Sequence, residues 1–372
     1  MPSTLRFELT TPVLDDRPVY LSGNFCDWYP DVEAFRLWPV TADHPVRNQP
    51  GPEPSSLGHY ALDFPADVAL PDVLDYKYTR GGWDHVELDE AGEVPPNRIS
   101  QQETGIRRDR VPHWRWFGRS YNPDLLPKLD LMVADFPRPQ RQTERRVRVL
   151  LPHDYEYSDK RYPVLYLSDG QNLIGAGSGY GSWEIDRRLA VLASRHHHEL
   201  IVVAIDHGED SRLQEFTLDR TLAGTGDGRN YLDFVVHTLK PQIDQTFRTK
   251  TDAFHTGIGG SSLGGLISLY GGLLHPRTFG RWLVFSPSLW IAKTVFADAA
   301  RCRVEPDTKV YVFGGGDESK SMVSSLTKLI DSLTQSPDTN NITSTLAVDP
   351  NGRHSESFWG HEFPKAVEWL FY

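Results

Sequence analysis

At 372 residues the chain is longer than one hydrophobic core usually supports, so two domains are expected. Its hydrophobic and charged fractions, 39% and 24%, are those of an ordinary soluble globular protein. A formal net charge of −11, with no Lys/Arg-rich run, argues against nucleic acid or an anionic membrane as partner. Cys26 and Cys302 lie too far apart in sequence to suggest a disulfide framework or metal-ligand spacing. The opening MPSTLRFELT has no charged region followed by an apolar stretch, and no apolar run is long enough to span a bilayer, so a cytoplasmic protein is expected.

Residues 1–105 read as all-β. Short alternating runs at 5–9, 18–22, 60–64 and 74–78 are bounded by Gly, Pro, Asn and Asp, the pattern of a small immunoglobulin-like β-sandwich. The Pro/Gly/Ser-rich stretch 43–58 reads as a loop. Two strings, LSGNFCDWYPD (21–31) and YKYTRGGWDHVELDEAGEVPPNR (76–98), resemble the starch- and glycogen-binding modules. In those modules an early strand ends in a G-N-F-x-x-W-like turn, and a later hairpin carries Y-K-[YF]-T-R-G-x-W. Trp28 and Trp83 are flat apolar faces able to stack on sugar rings, with Lys77 and Asn97 to reach hydroxyls; both tryptophans would serve equally as core or domain-interface residues.

Between 106 and 143 the pattern breaks. Arg107, Arg108 and Arg110, then HWRWF (113–117) and a Pro-spaced stretch, read as a linker packed by its aromatic residues.

From 144 to 372 apolar strands at 145–152, 164–167, 199–206, 281–290 and 309–318 alternate with helical patterns at 183–192, 231–247, 320–333 and 363–371. Continuous apolar strands separated by helices predict a mainly parallel sheet covered on both faces, with ligands beyond the strand C-termini. Within it, GIGGSSLGGLISLYGG (257–272) reads as strand, tight turn and helix. Gly260-Ser261-Ser262-Leu263-Gly264 matches G-x-S-x-G, and only Ser262 has glycines at both −2 and +2. A serine on a strained strand-to-helix turn needs small neighbours and gains an exposed hydroxyl, while the Leu263 N–H at the helix start can face a carbonyl oxygen.

A nucleophilic serine needs a base, and the base needs an orienting acid. Of the histidines downstream, His275 sits in the exit of the Ser262 helix, His361 at the mouth of the last helix, and His354 on the loop before it, where the base is expected. The acid should end the KVYVFGGG strand: Glu318 is preferred, with Asp317 the alternative. A second oxyanion donor should come from SDGQNL, at the Gly170 or Gln171 amide, with Asp169 either a turn former or a binding residue. Arg212, Trp183 and Trp290 are candidates to line the pocket; Arg212 could pair an acidic substrate group or form an ion pair with Glu215.

YLSDGQNL, the AID strand followed by Arg212 and Glu215-Phe216, GSSLGGLISLYGG, VFSPSLW, and the terminal H-x-E-x-x-W…FPKAVEWLF pattern together resemble the "Putative esterase" family of enterochelin esterases, esterase-D-type hydrolases, feruloyl and acetyl-xylan esterases and mycolyltransferases. The resemblance covers about 145–372. It implies an α/β-hydrolase fold and a Ser-acid-His hydrolase with neither metal nor cofactor. Ser262 and His354 carry over directly; the acid varies between Asp and Glu. The chain departs from many relatives in having Ser168 where they have His, and His354-Ser355 where they have His-Asn. The expected function is hydrolysis of a small carboxylic ester through an acyl-enzyme, on acylated sugars or related esters. A siderophore esterase, or a glycan-binding protein with an inert hydrolase domain, are the alternatives.

Overall fold

The computed structural model describes residues 5–12, 17–40, 57–101, 104–136, 143–195, 199–221, 224–292, 294–335, 338 and 341–372; the loop expected at 43–58 lies outside these except for its last two residues. The chain divides into two compact units, Met1–Leu125 with Ala190–His197, and Leu126–Leu189 with His198–Tyr372.

The first unit is built on strands β1 (Leu5–Thr11), β2 (Val19–Gly23), β3 (Arg36–Pro39), β4 (Gly58–Asp63), β5 (Leu74–Thr79), β6 (Glu87–Leu88), β7 (Arg98–Ser100), β8 (Gly105–Arg110) and β9 (His113–Trp114). Seven of them hydrogen-bond in the order β7-β5-β2-β3-β4-β1-β8, while β6 and β9 pair separately. Alternate residues of strands from opposite ends of this sheet, Phe7 and Leu62 from one and Leu21 and Tyr76 from the other, share one buried core. The sheet therefore folds over on itself, as period-2 patterning with one buried face demands. Trp114 belongs to this same core.

The second unit holds an eight-stranded sheet from β10 (Lys128–Phe136), β11 (Thr143–Leu151), β12 (Val164–Ser168), β13 (Ile201–Ile205), β14 (Thr256–Ser261), β15 (Arg281–Phe285), β16 (Thr308–Gly315) and β17 (Ile342–Asp349). Its order is β10-β11-β13-β12-β14-β15-β16-β17. β10 and β11 run antiparallel to their neighbours and the rest are parallel. Strands β12, β13 and β15 are buried along their whole length, the mark of a parallel sheet packed on both faces. The helices are α1 (Ile185–Ala193), α2 (Arg212–Glu215), α3 (Gly228–Phe234), α4 (Lys240–Thr246), α5 (Leu263–Leu274), α6 (Val295–Arg301), α7 (Met322–Thr334) and α8 (Glu356–Phe371), with a π-turn over Val235–Leu239 joining α3 to α4. This is the α/β-hydrolase arrangement. None of the described helices is long and apolar enough to cross a membrane.

Three segments differ from the sequence expectation. The stretch read as a linker, 106–143, contributes β8 to the first sheet and β10 to the second. β10 carries Leu129, Leu131 and Val133 exposed on its outer face, an inverted alternation that hides a strand from pattern reading. β17 alternates small polar residues with apolar ones at the sheet edge, and α8 starts at Glu356, well before the expected 363, running through Pro364.

Candidate active site

β14 lies at the centre of the parallel sheet, between β12 and β15, and delivers Ser262 at its C-terminal end. Ser262 has φ +58° and ψ −120°, a region that L-residues avoid. The surrounding glycines make this turn possible. A Cβ on Gly260 would stand 2.8 Å from the Gly264 backbone, and one on Gly264 would stand 2.9 Å from Asp169 Oδ2. Ser262 N–H donates to Phe285 O (3.0 Å), tying the turn to β15. Leu263 is the first residue of α5, so its N–H has no acceptor within the helix.

Glu318 and His354 meet beyond the end of β16. His354 Nδ1 is 2.7 Å from Glu318 Oε2; the carboxylate side chain is 1% exposed and the imidazole 42%. The other carboxylate oxygen, Oε1, accepts from the Ser286 hydroxyl and from Gly315 N–H, each at 2.6 Å. Ser286 Oγ in turn accepts from Trp359 Nε1 at 2.8 Å, and the Trp359 ring packs edge-on against His354, centroids 4.8 Å apart. Gly315 packs directly against Gly352, which brings the loop leading to His354 onto the strand end. Asp317, the alternative acid, is exposed and its carboxylate makes no hydrogen bond among the described residues. His361 lies within α8 and lines a separate small cavity with Asp349, Ser357 and Phe358, while His275 caps α5.

Ser262 and His354 open on one cleft of about 750 Å³, together with Asp169, Gln171, His207, Arg212, Glu356 and Trp359. Ser262 Oγ hydrogen-bonds Ser288 Oγ at 3.3 Å, and no hydrogen bond joins it to His354 among the described residues. Ser286-Pro287-Ser288 is thus one turn that touches Glu318 at one end and Ser262 at the other. Ser286 and Ser288 carry no role in the sequence expectation, though their position in VFSPSLW just beyond an apolar parallel strand signals one; Trp359 lies in α8, where no such signal marks it.

The remaining candidates are placed as follows. Gln171 lines the cleft, whereas Gly170 is buried against Ala204 and Asp206. Gln171 Oε1 accepts from His207 N–H, which leaves the Gln171 side chain occupied. Asp169, at φ +61°, takes Arg212 in a bidentate pair, Nε to Oδ1 at 2.6 Å and Nη2 to Oδ2 at 2.7 Å. Burial tends to lower the Arg212 pKa, but the Asp169 hydrogen bond and charge outweigh it and raise it. The ion pair of Arg212 with Glu215 does not form. Glu215 is fully buried and paired with Arg145 at 2.8 Å. Trp183 is a core residue: it is 2% exposed, stacked on Phe285 at 5.4 Å and packed against Trp359 and Phe363, so it does not line the cleft. Trp290 is 84% exposed and also stands outside the cleft.

In the first unit the half-exposed Trp28 and Trp83 rings lie 6.2 Å apart at 44°. Asn97 is exposed, but Lys77 is buried and its ammonium is held by Pro95 O.

A family model described as "Putative esterase" matches residues 139–370. The uncharacterized protein YbbA of Bacillus subtilis (strain 168) is 25% identical over 244 residues, 61% of this chain and 92% of its own. The siderophore triacetylfusarinine C esterase of Aspergillus fumigatus is 28% identical over 152 residues, 38% of this chain and half of that protein. Among solved structures, the BES protein from Bacillus cereus superposes with a TM-score of 0.55 at 19% identity, covering 66% of this chain and 95% of that one.

Proposed function

This chain belongs to the "Putative esterase" family and is a carboxylic ester hydrolase, and on that premise we propose that Ser262, His354 and Glu318 act as its Ser-His-acid triad through an acyl-enzyme. The observation that carries the reading is the 2.7 Å contact of His354 Nδ1 with the buried Glu318, on the wall of the cleft that Ser262 enters from a strained turn. With Nδ1–H given to Glu318, Nε2 carries the lone pair that a general base needs.

Ser262 Oγ turns from Ser288 toward His354 and attacks the ester carbonyl carbon while His354 Nε2 takes its proton. The Leu263 N–H and the amide at Gln171, or that at Gly170, hold the oxyanion. Collapse breaks the C–O bond to the alcohol, which leaves with the proton from His354. A water then gives its proton to His354 and attacks the acyl carbon, the acid departs and Ser262 regains its proton. An alcohol in place of water would give acyl transfer. Arg212 acts here by holding Asp169 and the loop after β12.

The substrate in this reading is a small ester, with acylated sugars favoured by the half-exposed Trp28–Trp83 pair, which offers a stacking surface for a glycan. Siderophore ester hydrolysis is the second reading, favoured by the 28% identity to a protein of that name. The test is to treat wild type and Ser262→Ala with a fluorophosphonate probe, and to assay both on p-nitrophenyl, feruloyl- and acetyl-sugar and catecholate trilactone esters. Labelling and turnover confined to wild type are expected, with the preferred ester choosing the substrate. Full activity in Ser262→Ala overturns the mechanism.

A further inference from the structure

Carboxylates outnumber cations in the lining of the cleft. It holds four carboxylates, Asp169, Glu209, Asp210 and Glu356, and one guanidinium, Arg212. Arg212 is bound bidentately to Asp169. Glu209 and Asp210 form no ion pair with Lys or Arg among the described residues and stand exposed on the loop after β13, while Glu356 feels the charges of Arg212 and His354 without a direct ion pair to either. Burial, with the Asp169 charge, pushes the Glu356 carboxyl above its ordinary value against the opposing pull of His354 and Arg212. Burial also pushes His207 down, toward its neutral form.

A second observation points the same way. Asn172 lines the cleft and gives its Nδ2 to Glu356 Oε1 at 3.2 Å, while its Oδ1 is buried without a partner among the described residues. A shielded acceptor beside a carboxylate calls for a donor from the substrate.

We infer, resting on the esterase reading above, that this cleft selects esters whose polar end is rich in hydrogen-bond donors and not anionic, a polyol or an ammonium group, and rejects those bearing a carboxylate or another anion. Four carboxylates against one guanidinium leave the cleft that Ser262 enters with an excess of negative charge, which attracts a cation, accepts hydrogen bonds from hydroxyls and repels an anion. With partial solvent exposure the cation-to-anion preference should be about tenfold at low ionic strength and shrink as salt is added. Against a polyanionic catecholate the cleft is mismatched.

The experiment compares 6-O-acetylglucose, acetylcholine and O-acetylglycolate, three acetyl esters differing in the charge of the alcohol. Acetate release is followed for wild type and Glu209→Gln/Asp210→Asn at low and high salt, and equilibrium binding of the same esters to Ser262→Ala is measured by calorimetry. The expected result is kcat/KM for glucose and choline esters above that for glycolate. The choline-to-glycolate ratio should fall severalfold in the double variant and in high salt, and the binding order should be the same. Which of choline and glucose leads tells ammonium from polyol. Glycolate ester processed as well as the others, or a ratio indifferent to both the double variant and salt, overturns the inference while leaving the esterase reading intact. If wild type hydrolyses none of the esters yet Ser262→Ala binds them in the expected order, the esterase reading fails and the charge selection stands. No binding preference in that case overturns both.

Discussion

Trp359 donates its indole N–H to Ser286, and through that hydroxyl it fixes the carboxylate that faces His354. The acid of the proposed triad is therefore held from behind by Ser286, which does not line the cleft, itself fixed by Trp359. Ser286→Ala removes a hydrogen bond to a charged group, worth about 1.5–3 kcal/mol. Its kcat should fall about 10–100-fold with KM little changed, Ser286→Thr should recover part of the loss, and steady-state kinetics on p-nitrophenyl acetate reads both.

Glu318 and Asp317 are adjacent in sequence and unlike in setting, one buried on His354 and the other exposed. Glu318→Gln should lower kcat by about 10³–10⁴-fold, as loss of the orienting acid does elsewhere. Asp317→Asn should leave kcat within about twofold. The reverse pattern in the same assay would reassign the acid.

Which of these facts could be read from the chain alone follows from their range in sequence. The Ser262 turn is visible as letters because the glycines flank the serine in sequence: Gly260 is demanded by the backbone of Gly264 within the same turn, although what crowds Gly264 is the distant Asp169. What favours Glu318 over Asp317 in the proposed triad includes Ser286, 32 residues earlier, and the partner of Arg212 is Asp169, 43 residues away rather than the neighbouring Glu215. Trp183 has the composition of a binding residue and the surroundings of a core one, because Phe285, Trp359 and Phe363 arrive from two other elements. The strands buried on both faces were legible as apolar runs. The edge strands β10 and β17 were not, since an edge relaxes the pattern.

The Asp169–Arg212 pair has a buried carboxylate and a guanidinium partly open to the cleft. Arg212→Met leaves the Asp169 carboxylate without its cation and should cost less than the roughly 3–5 kcal/mol of a fully buried pair, because water can reach the site. Arg212→Lys should recover only part of this, because an ammonium cannot reproduce the two parallel contacts. Urea unfolding of the variants measures both.

Acid should weaken the first unit through His113. Burial, with the Arg195 charge, pushes this imidazole down to about 3 from 6.5. Between those values the unfolded chain takes up a proton that the folded one refuses. Stability is therefore present above pH 6.5 and is lost as pH falls toward 3, by about 1.4 kcal/mol per pH unit. His113→Gln should flatten that slope in urea midpoints measured from pH 7 to 4.5, whatever its effect at pH 7.

The positive φ of Ser262 has a thermodynamic consequence opposite to its chemical one. On the proposed mechanism every turnover depends on a hydroxyl held where a side chain is least welcome, so the native state keeps its reactive atom at the expense of its own depth. Glycine would relax that position by about 1 kcal/mol or more. The inert protein would outlast the working one in the heat, and an unselected drift in this sequence would run toward endurance and silence.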